Sequence, residues 1–580
     1  MRLSAESGES PLDKFARHKN DISEWFNEMD KAGLNSYEQS ILKSYLLDNY
    51  GMCDTQESMM LLSMHPDIAD FSLKEANKLR KGVAKKSQEV LEECWIMFQE
   101  SCERTGCSEN LKNYVWNVLF RPQFGYSFSL PHIAGYTMIL MQELNLAARY
   151  GVIYWKTACL SVNSGLIGER EGNTNYGAVA KAVGDMKGTV LNPDINRSKL
   201  GFTPLEEENK ILFGLKPISG LGKDAVAVIM EKRPFTSLED FVKRAIIGEE
   251  PIELEDGEVI IDNTMSDKKG VVVIKSGCFD AMYPNKSRRD LMIEYVKMVS
   301  PKKNKLTMTN LPHIVDSVPE TLKNELNIYK FRNLLFGRNK VNMTKEIEKE
   351  FMIKYSKDVE YSFNKGVLII DQKSFDKVYK KLIEPLRQWV ISPQAADIFN
   401  KKKMREFWQD NCMGLIEQWE METVVFYSDK HELDYIPLEK YFDIDNFFDL
   451  KPDNIVEWKT WGKRRFPRYE LGIIAGTVVD KDKEKHIVYL STQFGVVPVK
   501  YYKGSFLHYD KKVVDVSGQE KIVLDHSWFT RGTRLVVIGY RRGEEFVPKV
   551  YKDTAYQHTT VKISNYNKND IQLSLEKIRV

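Results

Sequence analysis

A run of cations on one predicted helix is the first part of this sequence that could take part in chemistry. In FSLKEANKLRKGVAKKS, one helical face carries Lys78, Lys81 and Lys85, and Arg80 and Lys86 lie beside it. A triphosphate carries about four negative charges, so several cations over one cleft could bind it. The alternative is a solvated charged helix face, which is the commoner origin of an isolated basic run.

A pair of glycines in GLKPISGLGKDAVAVIMEKR is the second such feature. Gly220 and Gly222 let the backbone approach a phosphate closely, and the N-terminus of the helix that follows offers unpaired N–H donors to the same anion. Lys216 and Lys223 add positive charge. The pattern predicts a helix-hairpin-helix that contacts the DNA backbone rather than the bases. A helix–helix corner that needs glycine only for its turn is the alternative.

Mainly helical elements must position these residues. Apolar residues recur at spacings of three and four over residues 36–162, and Ser72 and Glu75 predict a helix start before the basic run. Residues 166–210 are richer in Gly, Asn and Pro, which indicates loops and short strands. Residues 211–300 are again mainly helical, with an acidic insert, GEEPIELEDGEVIID, that predicts a surface loop or hairpin.

The pattern changes to alternation after Tyr469, in LGIIAGTVV, HIVYLST, GVVPVKYY, TRLVVIGYRR and FVPKVYK. Five short strands within about 85 residues fit a small antiparallel β-barrel. Such a barrel binds single strands with a positive groove and exposed aromatic side chains on which bases stack. The candidates for these contacts are Tyr489, Phe494, Lys500, Tyr501, Tyr502 and Arg531.

The composition is that of a soluble globular chain. Its 580 residues exceed the roughly 250 to 300 at which single cores stop growing, so we predict a multidomain, mainly α fold with a small C-terminal β-barrel. The start lacks a secretory signal, and no apolar run could span a bilayer, so we expect a cytoplasmic protein without membrane contact. The seven dispersed cysteines lack metal-site spacing and indicate reduced thiols.

Three segments, NYGMCDTQESMM, LRKGVAKK and FSLPHIAGY, resemble in order and spacing the fingers of the bacterial DNA polymerase III alpha subunit, a family C replicative polymerase. The resemblance places Gln56 and Glu57 on the family's Gln-Glu pair, and two positions differ from the family pattern, Thr55 and Leu130. It implies that nucleotide or DNA backbone is bound by Arg80, Lys81, Lys85 and Lys86. By the same resemblance, His132 and Tyr136 border the nascent base pair.

The same family resemblance continues along the chain, through NPDINRS, FTSLEDFVKR and VIKSGCFDAM to EQWEMETVVFYSDKHELD. It implies a tandem helix-hairpin-helix domain and a segment that leads into an OB domain. The domains expected from it are a palm-to-fingers passage (1–35), fingers (36–165), a connector with short strands (166–210), tandem helix-hairpin-helix (211–300), a mixed α/β and helical region (301–465), an OB fold (466–552) and a C-terminal tail or hairpin (553–580).

The metal-binding carboxylates of the family come from a P-D-I-D-x-D-F strand, and nothing similar precedes Tyr50. A two-metal mechanism needs two or three such carboxylates. YFDIDNF, with Asp443 and Asp445, looks similar but follows the fingers, where the family has an ordinary connector. We therefore expect no catalytic and no metal-binding residue in this chain, and Mg²⁺ and dNTP only together with a palm-bearing partner chain.

The function implied is template-directed DNA synthesis as the fingers and DNA-binding part of a split family C polymerase. The expected partners are primer–template DNA, single-stranded template and the palm-bearing chain. A non-catalytic DNA-binding replication accessory protein is the alternative. IQLSL resembles the peptide that replicative polymerases insert into the sliding clamp, which would involve Gln572, Leu573 and Leu575, whereas its alternation predicts a last β-strand.

Overall fold

The computed structural model of the chain shows two compact units, Met1–Gly151 and Val152–Val580. The units are mainly helical and the second ends in a β-barrel, which confirms the predicted multidomain, mainly α fold with a small C-terminal barrel. The residues that the structure describes are 11–85, 88–124, 128–167, 174–186, 188–248, 252–253, 259–260, 264–337, 343–461, 464–515, 522–566 and 570–574.

The first unit consists of helices in its described part. A π-helical turn, Tyr114–Phe120, follows the seventh of them. The predicted helix start before the basic run is confirmed, because the Ser72 N–H donates to Glu75 Oε2 at 2.8 Å and the Glu75 N–H donates to Ser72 Oγ at 3.4 Å. The helices are α1 (Pro11–Asn20), α2 (Ser23–Lys31), α3 (Ser36–Leu46), α4 (Gln56–Ser63), α5 (Leu73–Lys85), α6 (Gln88–Thr105), α7 (Glu109–Asn113) and α8 (Leu130–Tyr150).

Large aromatic side chains form the core of the first unit. Phe98 of α6 packs against Trp116 and Phe120, with ring centroids 5.2 and 5.8 Å apart. Trp25 of α2 is fully buried in the same core and donates its Nε1–H to the Tyr114 hydroxyl at 3.2 Å. The segment predicted as a passage into the fingers thus contributes to the core that supports α4 and α5.

The second unit begins with short strands and helices around one apolar core. Residues 176–185 form a helix where the sequence indicated only loops and strands, because Asn175 caps an alanine-rich segment by accepting the Ala178 N–H at 3.1 Å. The elements are α9 (Val152–Asn163), α10 (Tyr176–Asp185), β1 (Val190–Leu191), β2 (Thr203–Leu205), β3 (Lys210–Leu212), α11 (Lys223–Lys232), α12 (Leu238–Phe241), β4 (Ile252–Glu253), β5 (Val259–Ile260), α13 (Asp267–Lys275) and α14 (Arg288–Val299).

Helix α9 packs on β2 and β3, and its Ile153 and Leu160 are buried in the core of the second unit. The compact division therefore falls at Gly151, ahead of the boundary near residue 165 that the sequence suggested. In the acidic insert, β4 pairs with β5 as a hairpin. A π-helical turn, Val242–Ile247, continues α12.

The middle of the second unit is a group of helices with one two-stranded hairpin. Two small apolar clusters hold it together, one around Trp389 and Phe399 and one around Phe351 and Phe375. The elements are α15 (Lys323–Phe336), α16 (Lys345–Lys354), β6 (Tyr361–Asn364), β7 (Val367–Ile370), α17 (Gln372–Leu382), α18 (Glu384–Ile391), α19 (Pro393–Asn411) and α20 (Ile416–Thr423).

The C-terminal part contains the barrel and two strands on either side of it along the chain. The elements are β8 (Ile455–Trp461), β9 (Arg464–Tyr469), β10 (Gly472–Asp482), β11 (Ile487–Thr492), β12 (Gly495–Lys500), α21 (Lys503–Asp510), β13 (Val513–Asp515), β14 (Ile522–Asp525), β15 (Arg534–Arg542), β16 (Glu545–Pro548), β17 (Thr560–Tyr566) and β18 (Ile571–Ser574). All five strands predicted from alternation are present as β10, β11, β12, β15 and β16.

The barrel closes in the order β10–β11–β12–β16–β15, with β15 pairing back onto β10. Four of the five pairings are antiparallel, and β12 pairs with β16 in parallel, with Val499 opposite Phe546. Helix α21 fills the connection between the third and fourth barrel strands. This order is that of an OB fold. Among the described helices, none has the length and apolarity needed to cross a membrane.

Candidate nucleic-acid interface

The start of α4 positions the half-buried Arg80 of α5. The Arg80 Nη1–H donates to Gln56 Oε1 at 3.0 Å, and its Nε–H donates to Asn77 Oδ1 at 2.9 Å. Gln56 is buried, so its amide is a fixed acceptor. Thr55, which differs from the family pattern, caps α4 by accepting the Ser58 N–H at 3.1 Å. The first residue of the Gln-Glu pair thus orients one of the predicted cations.

Glu57, the second residue of the pair, caps the helix that carries His132 and Tyr136. Its Oε2 accepts the Leu130 N–H at 2.7 Å, and its Oε1 accepts the Ser129 hydroxyl at 3.3 Å. A carboxylate is favoured at a helix N-terminus by the unpaired amides and the helix dipole. The start of α4 therefore joins α5 and α8 at one place.

The predicted cations of α5 differ in their surroundings. Lys81 is exposed. Lys78 is also exposed and forms an ion pair with Glu93 Oε2 at 2.9 Å, which raises its pKa through the hydrogen bond. Lys85 is the last residue of α5, and its side chain lies outside the described part of the structure, as does the whole of Lys86.

Helix α8 exposes its functional candidates and its apolar residues alike. The rings of His132 and Tyr136 contact each other edge to face, with centroids 4.5 Å apart. None of the 21 residues of α8 is buried. A helix that is apolar on all sides is normally covered by other protein. Its exposed large apolar residues are Leu130, Tyr136, Met138, Ile139, Leu140, Met141, Leu144, Leu146 and Tyr150.

The glycine hairpin of the second unit has the geometry of a phosphate site. Gly220 and Gly222 have φ angles of +85° and +82°, which side chains with a Cβ rarely adopt. Gly222 is the N-cap of α11 and supplies no side-chain cap, so the first N–H groups of α11 point outward beside the exposed Lys223. Lys216 instead donates to the Gly165 carbonyl.

Lys269 of α13 adds a cation to this hairpin that the sequence analysis did not identify. Its Nζ donates to the Gly220 carbonyl and would lie 3.6 Å from a Cβ placed on Gly222. The Lys268-Lys269 pair at the start of α13 was the available signal, but the contact joins residues 49 positions apart. Lys223 and Lys269 therefore flank the same turn.

Ion pairs of the buried Arg288 connect the segment around Asp280 to α20. Arg288 of α14 donates to Asp280 Oδ2 at 2.6 Å and lies 3.0 Å from Glu420 Oε1. Burial raises the pKa of Glu420, against the opposing effect of Arg288. The contacts fix the VIKSGCFDAM turn rather than present a charge to solvent.

The barrel candidates separate into exposed and packed side chains. Phe494 and Tyr502 are 49% and 63% exposed. Tyr501 lies in the barrel core, and the Tyr489 ring packs so closely that a Cβ on Gly177 would be 2.4 Å from it. The Lys500 amine donates to the Lys485 carbonyl.

Arg531 is held by contacts within the second unit. Its Nε–H donates to the Val479 carbonyl at 2.9 Å, and its Nη1–H donates to Ser219 Oγ, beside Gly220, at 2.8 Å. The guanidinium also lies 4.1 Å from the ring centre of Tyr176. Burial lowers its pKa. These contacts join the barrel to the glycine hairpin.

The acidic segment around Asp443 and Asp445 is part of the barrel connection. Asp445 Oδ2 accepts the Ile473 N–H at 2.7 Å, and the Asp445 N–H donates to the Ile473 carbonyl at 2.7 Å. Glu432 of the preceding segment likewise accepts from Thr477 and Arg534, at 2.6 and 2.8 Å. Within the described ranges, no group of three or more His, Cys, Asp or Glu side chains could hold a metal ion.

The first four residues of the segment that resembles a clamp peptide, Ile571–Ser574, form β18, which pairs with β17. Gln572 lies opposite Asn565, and Leu573 lies opposite Ile563. Leu575 lies outside the described part of the chain. The structure thus contains the strand that the alternation of IQLSL predicted.

Exposed cations on helices, a glycine hairpin at a helix N-terminus and an OB barrel are features that nucleic-acid-binding proteins share. The family described as bacterial DNA polymerase III alpha subunit finger domain matches residues 13–106, and the family described as helix-hairpin-helix motif matches residues 187–254. In these two regions the chain is similar to the bacterial DNA polymerase III alpha subunits.

Two DNA polymerases are similar to nearly the entire chain over less than half of their own length. Identity is 36% over 602 residues to the "Probable DNA polymerase YorL" of Bacillus subtilis and to the "DNA-directed DNA polymerase" of Bacillus phage SPbeta, covering 99% of this chain and 44% of each relative. Identity to the DNA polymerase III subunit alpha of Borreliella burgdorferi is 28% over 473 residues, covering 77% of this chain and 35% of that protein. The chain thus spans less than half the length of these relatives.

Proposed function

We propose that this chain is the nucleotide- and DNA-binding part of a family C DNA polymerase, and that the catalytic Mg²⁺ ions are bound by a separate palm-bearing chain. The observation that carries the proposal is the junction at α4, where Gln56 holds Arg80 and Glu57 caps the helix of His132 and Tyr136. One short helix start thereby sets the positions of a cation and of an exposed aromatic pair. That arrangement suits a triphosphate and the base attached to it.

The residues of the chain supply binding and orientation in this proposal. Arg80, Lys81 and the Lys85–Lys86 pair bind triphosphate or DNA backbone, and His132 and Tyr136 lie beside the nascent base pair. The hairpin amides, with Lys223 and Lys269, hold the duplex backbone without reading bases. Phe494 and Tyr502 are the barrel side chains available for stacking on single-stranded template.

Among the described residues no group of three or more His, Cys, Asp or Glu side chains could hold a metal ion, and in this proposal the carboxylates of the two-metal mechanism come from the partner chain. Asp445 is already bonded to the backbone of β10. The exposed apolar surface of α8 supports a partner chain that covers it. A sliding-clamp contact through Gln572, Leu573 and Leu575 would additionally require β18 to leave β17, since a strand cannot keep its ladder while bound as a separate peptide.

Primer extension tests whether nucleotide and DNA binding lie on this chain and Mg²⁺ binding on a separate chain. The chain is assayed with Mg²⁺, dNTPs and a primed template, alone and mixed with the part of the SPbeta phage polymerase that it does not match. We expect extension only in the mixture. Extension by the chain alone would show that the split is wrong, and Asp443 and Asp445 would then be substituted first. A mixture that binds DNA without extending it would favour the accessory protein.

Variants at the α4 junction test the nucleotide contact in that mixture. Arg80→Ala removes a cation from the triphosphate and should raise KM for dNTP about 10-fold or more, since a charged hydrogen bond is worth roughly 1.5 to 3 kcal/mol. Gln56→Ala should raise KM less, because it frees Arg80 without removing it. Lys373→Ala, an exposed cation on α17, is the matched control and should leave KM unchanged.

A further inference from the structure

The hairpin of β8 and β9 stands outside the barrel and exposes large side chains. Val456, Trp458 and Phe466 are 57%, 50% and 46% exposed, and every side chain described between residues 456 and 466 is exposed. A two-stranded hairpin alone is at best marginally stable in water, and these side chains add nothing to a core. Exposed aromatic residues of this kind mark a binding surface.

Cations accompany the aromatic residues of this hairpin. Residues 455–469 contain five Lys or Arg and one Glu, a net charge of +4. Thr460 pairs with Arg465 and Trp458 pairs with Pro467, so Trp458 and Arg465 lie diagonally on one face. The Arg465 guanidinium is 5.5 Å from the centre of the Trp458 ring. Trp458 and Arg465 can therefore contact the same ligand, one through its aromatic ring and the other through its positive charge.

The base of the hairpin is attached to the barrel. Tyr469 stacks on Tyr540 of β15, with ring centroids 4.1 Å apart and an interplanar angle of 4°. The Tyr469 N–H donates to the Tyr551 hydroxyl at 2.8 Å, and Arg468 Nη1 donates to Asp553 Oδ2 at 2.6 Å. Tyr540 precedes the β15–β16 loop, and the loop between the last two strands of an OB barrel is one that binds oligonucleotides. The hairpin thus extends that ligand-binding side.

We propose that the β8–β9 hairpin is a single-stranded DNA contact of the chain, in which a base stacks on Trp458 and Arg465 pairs with an adjacent phosphate. Taking DNA as the ligand rests on the proposed function. The combination of net positive charge with a half-exposed aromatic ring fits a strand of alternating phosphates and unpaired bases. An acidic protein would match the charge and leave the Trp458 face without a planar partner.

This contact is tested by equilibrium binding of the full 580-residue chain to a labelled oligothymidylate of about 16 nucleotides. That length is near the largest site size of an OB barrel. Fluorescence anisotropy over a salt series gives the affinity and its salt dependence. Trp458→Ala should weaken binding about 5- to 150-fold, the loss of one stacked base, and Trp458→Phe should retain most of the affinity. Arg465→Ala should lower the slope of log K against log salt by about 0.7.

Phe363→Ala is the matched control, because Phe363 is 53% exposed on another two-stranded hairpin, formed by β6 and β7. The Phe363→Ala variant should bind the oligothymidylate with the same affinity as the unsubstituted chain. Circular dichroism verifies that each variant is folded. Unchanged affinity in both Trp458→Ala and Arg465→Ala overturns the inference, and so does weakening that is confined to blunt duplex. The assay requires no primer extension. A chain that binds through this hairpin and never supports synthesis would overturn the split polymerase and leave the hairpin contact standing.

Discussion

The motif residues of the first unit act largely by holding other residues in place. Glu57 accepts the backbone N–H of Leu130, so the cap does not depend on which side chain stands at that position. The helix start is therefore retained although Leu130 differs from the family pattern. Pro131 is compatible with the same turn, because the first N–H groups of a helix have no partner within it.

Glu28 makes the first unit sensitive to acid. Burial alone would raise the pKa of its carboxyl, but His18, Lys14 and Tyr114 together lower it to about 2. The Lys14 amine and the Tyr114 hydroxyl each lie 2.9 Å from Glu28 Oε1. Because the folded-state pKa is below the ordinary value of 4.5, the stabilisation is complete above that pH and is lost as the pH falls toward 2. The shift corresponds to a contribution on the order of 3 kcal/mol.

Glu28→Gln should therefore destabilise the first unit at neutral pH and have little effect in acid. Hydrogen exchange of the α2 amides in the full chain, measured from about pH 6 down to about pH 2.5, reports the opening free energy. The difference between Glu28→Gln and the unsubstituted chain should shrink across this range. Glu24→Gln, on the same helix and half exposed, should show no such trend. A difference that stays constant with pH would contradict the assignment.

At the scale of elements, local sequence patterns were sufficient to predict the structure where the stabilising interactions join neighbours in sequence. The Ser72–Glu75 cap and the alternation of the barrel strands involve neighbours in sequence, and both are present as predicted. Lys269 could not be assigned, because its contact with Gly220 depends on how α13 packs. The β8–β9 hairpin was also missed, although the aromatic and basic alternation of WKTWGKRRFPRY was its signal.

The glycine hairpin should bind duplex DNA through charge and backbone amides. Lys223→Ala and Lys269→Ala each remove one phosphate contact, so each should reduce the slope of log K against log salt by about 0.9, with a uniform loss of affinity across sequences. Filter binding or anisotropy with two duplexes of unrelated sequence measures this. Lys373→Ala serves again as the matched control. A loss for one duplex and not the other would show base recognition and contradict a backbone contact.

At the scale of the whole molecule, the second unit joins the glycine hairpin and the barrel, the two parts proposed to bind DNA, through internal polar contacts. Ser219, next to Gly220, donates its N–H to the Thr423 carbonyl and accepts from Arg531 of the barrel. Thr423 ends α20, whose Glu420 is paired with Arg288. A strand bound to the barrel and a duplex bound to the hairpin would therefore lie in a fixed relation along one template.

Arg531 has two possible roles at this junction. The sequence predicted that it contacts DNA, whereas in the structure its guanidinium forms hydrogen bonds within the second unit. Arg531→Ala leaves the Val479 carbonyl and Ser219 without that donor, which should cost about 1 to 3 kcal/mol. We expect faster hydrogen exchange in β10 and around Ser219, with an unchanged salt slope for oligothymidylate binding. Arg465→Ala should give the opposite pattern, a reduced slope with unchanged exchange. If Arg531→Ala lowers the salt slope and leaves exchange as it was, the guanidinium binds phosphate and the barrel and hairpin are joined by other contacts.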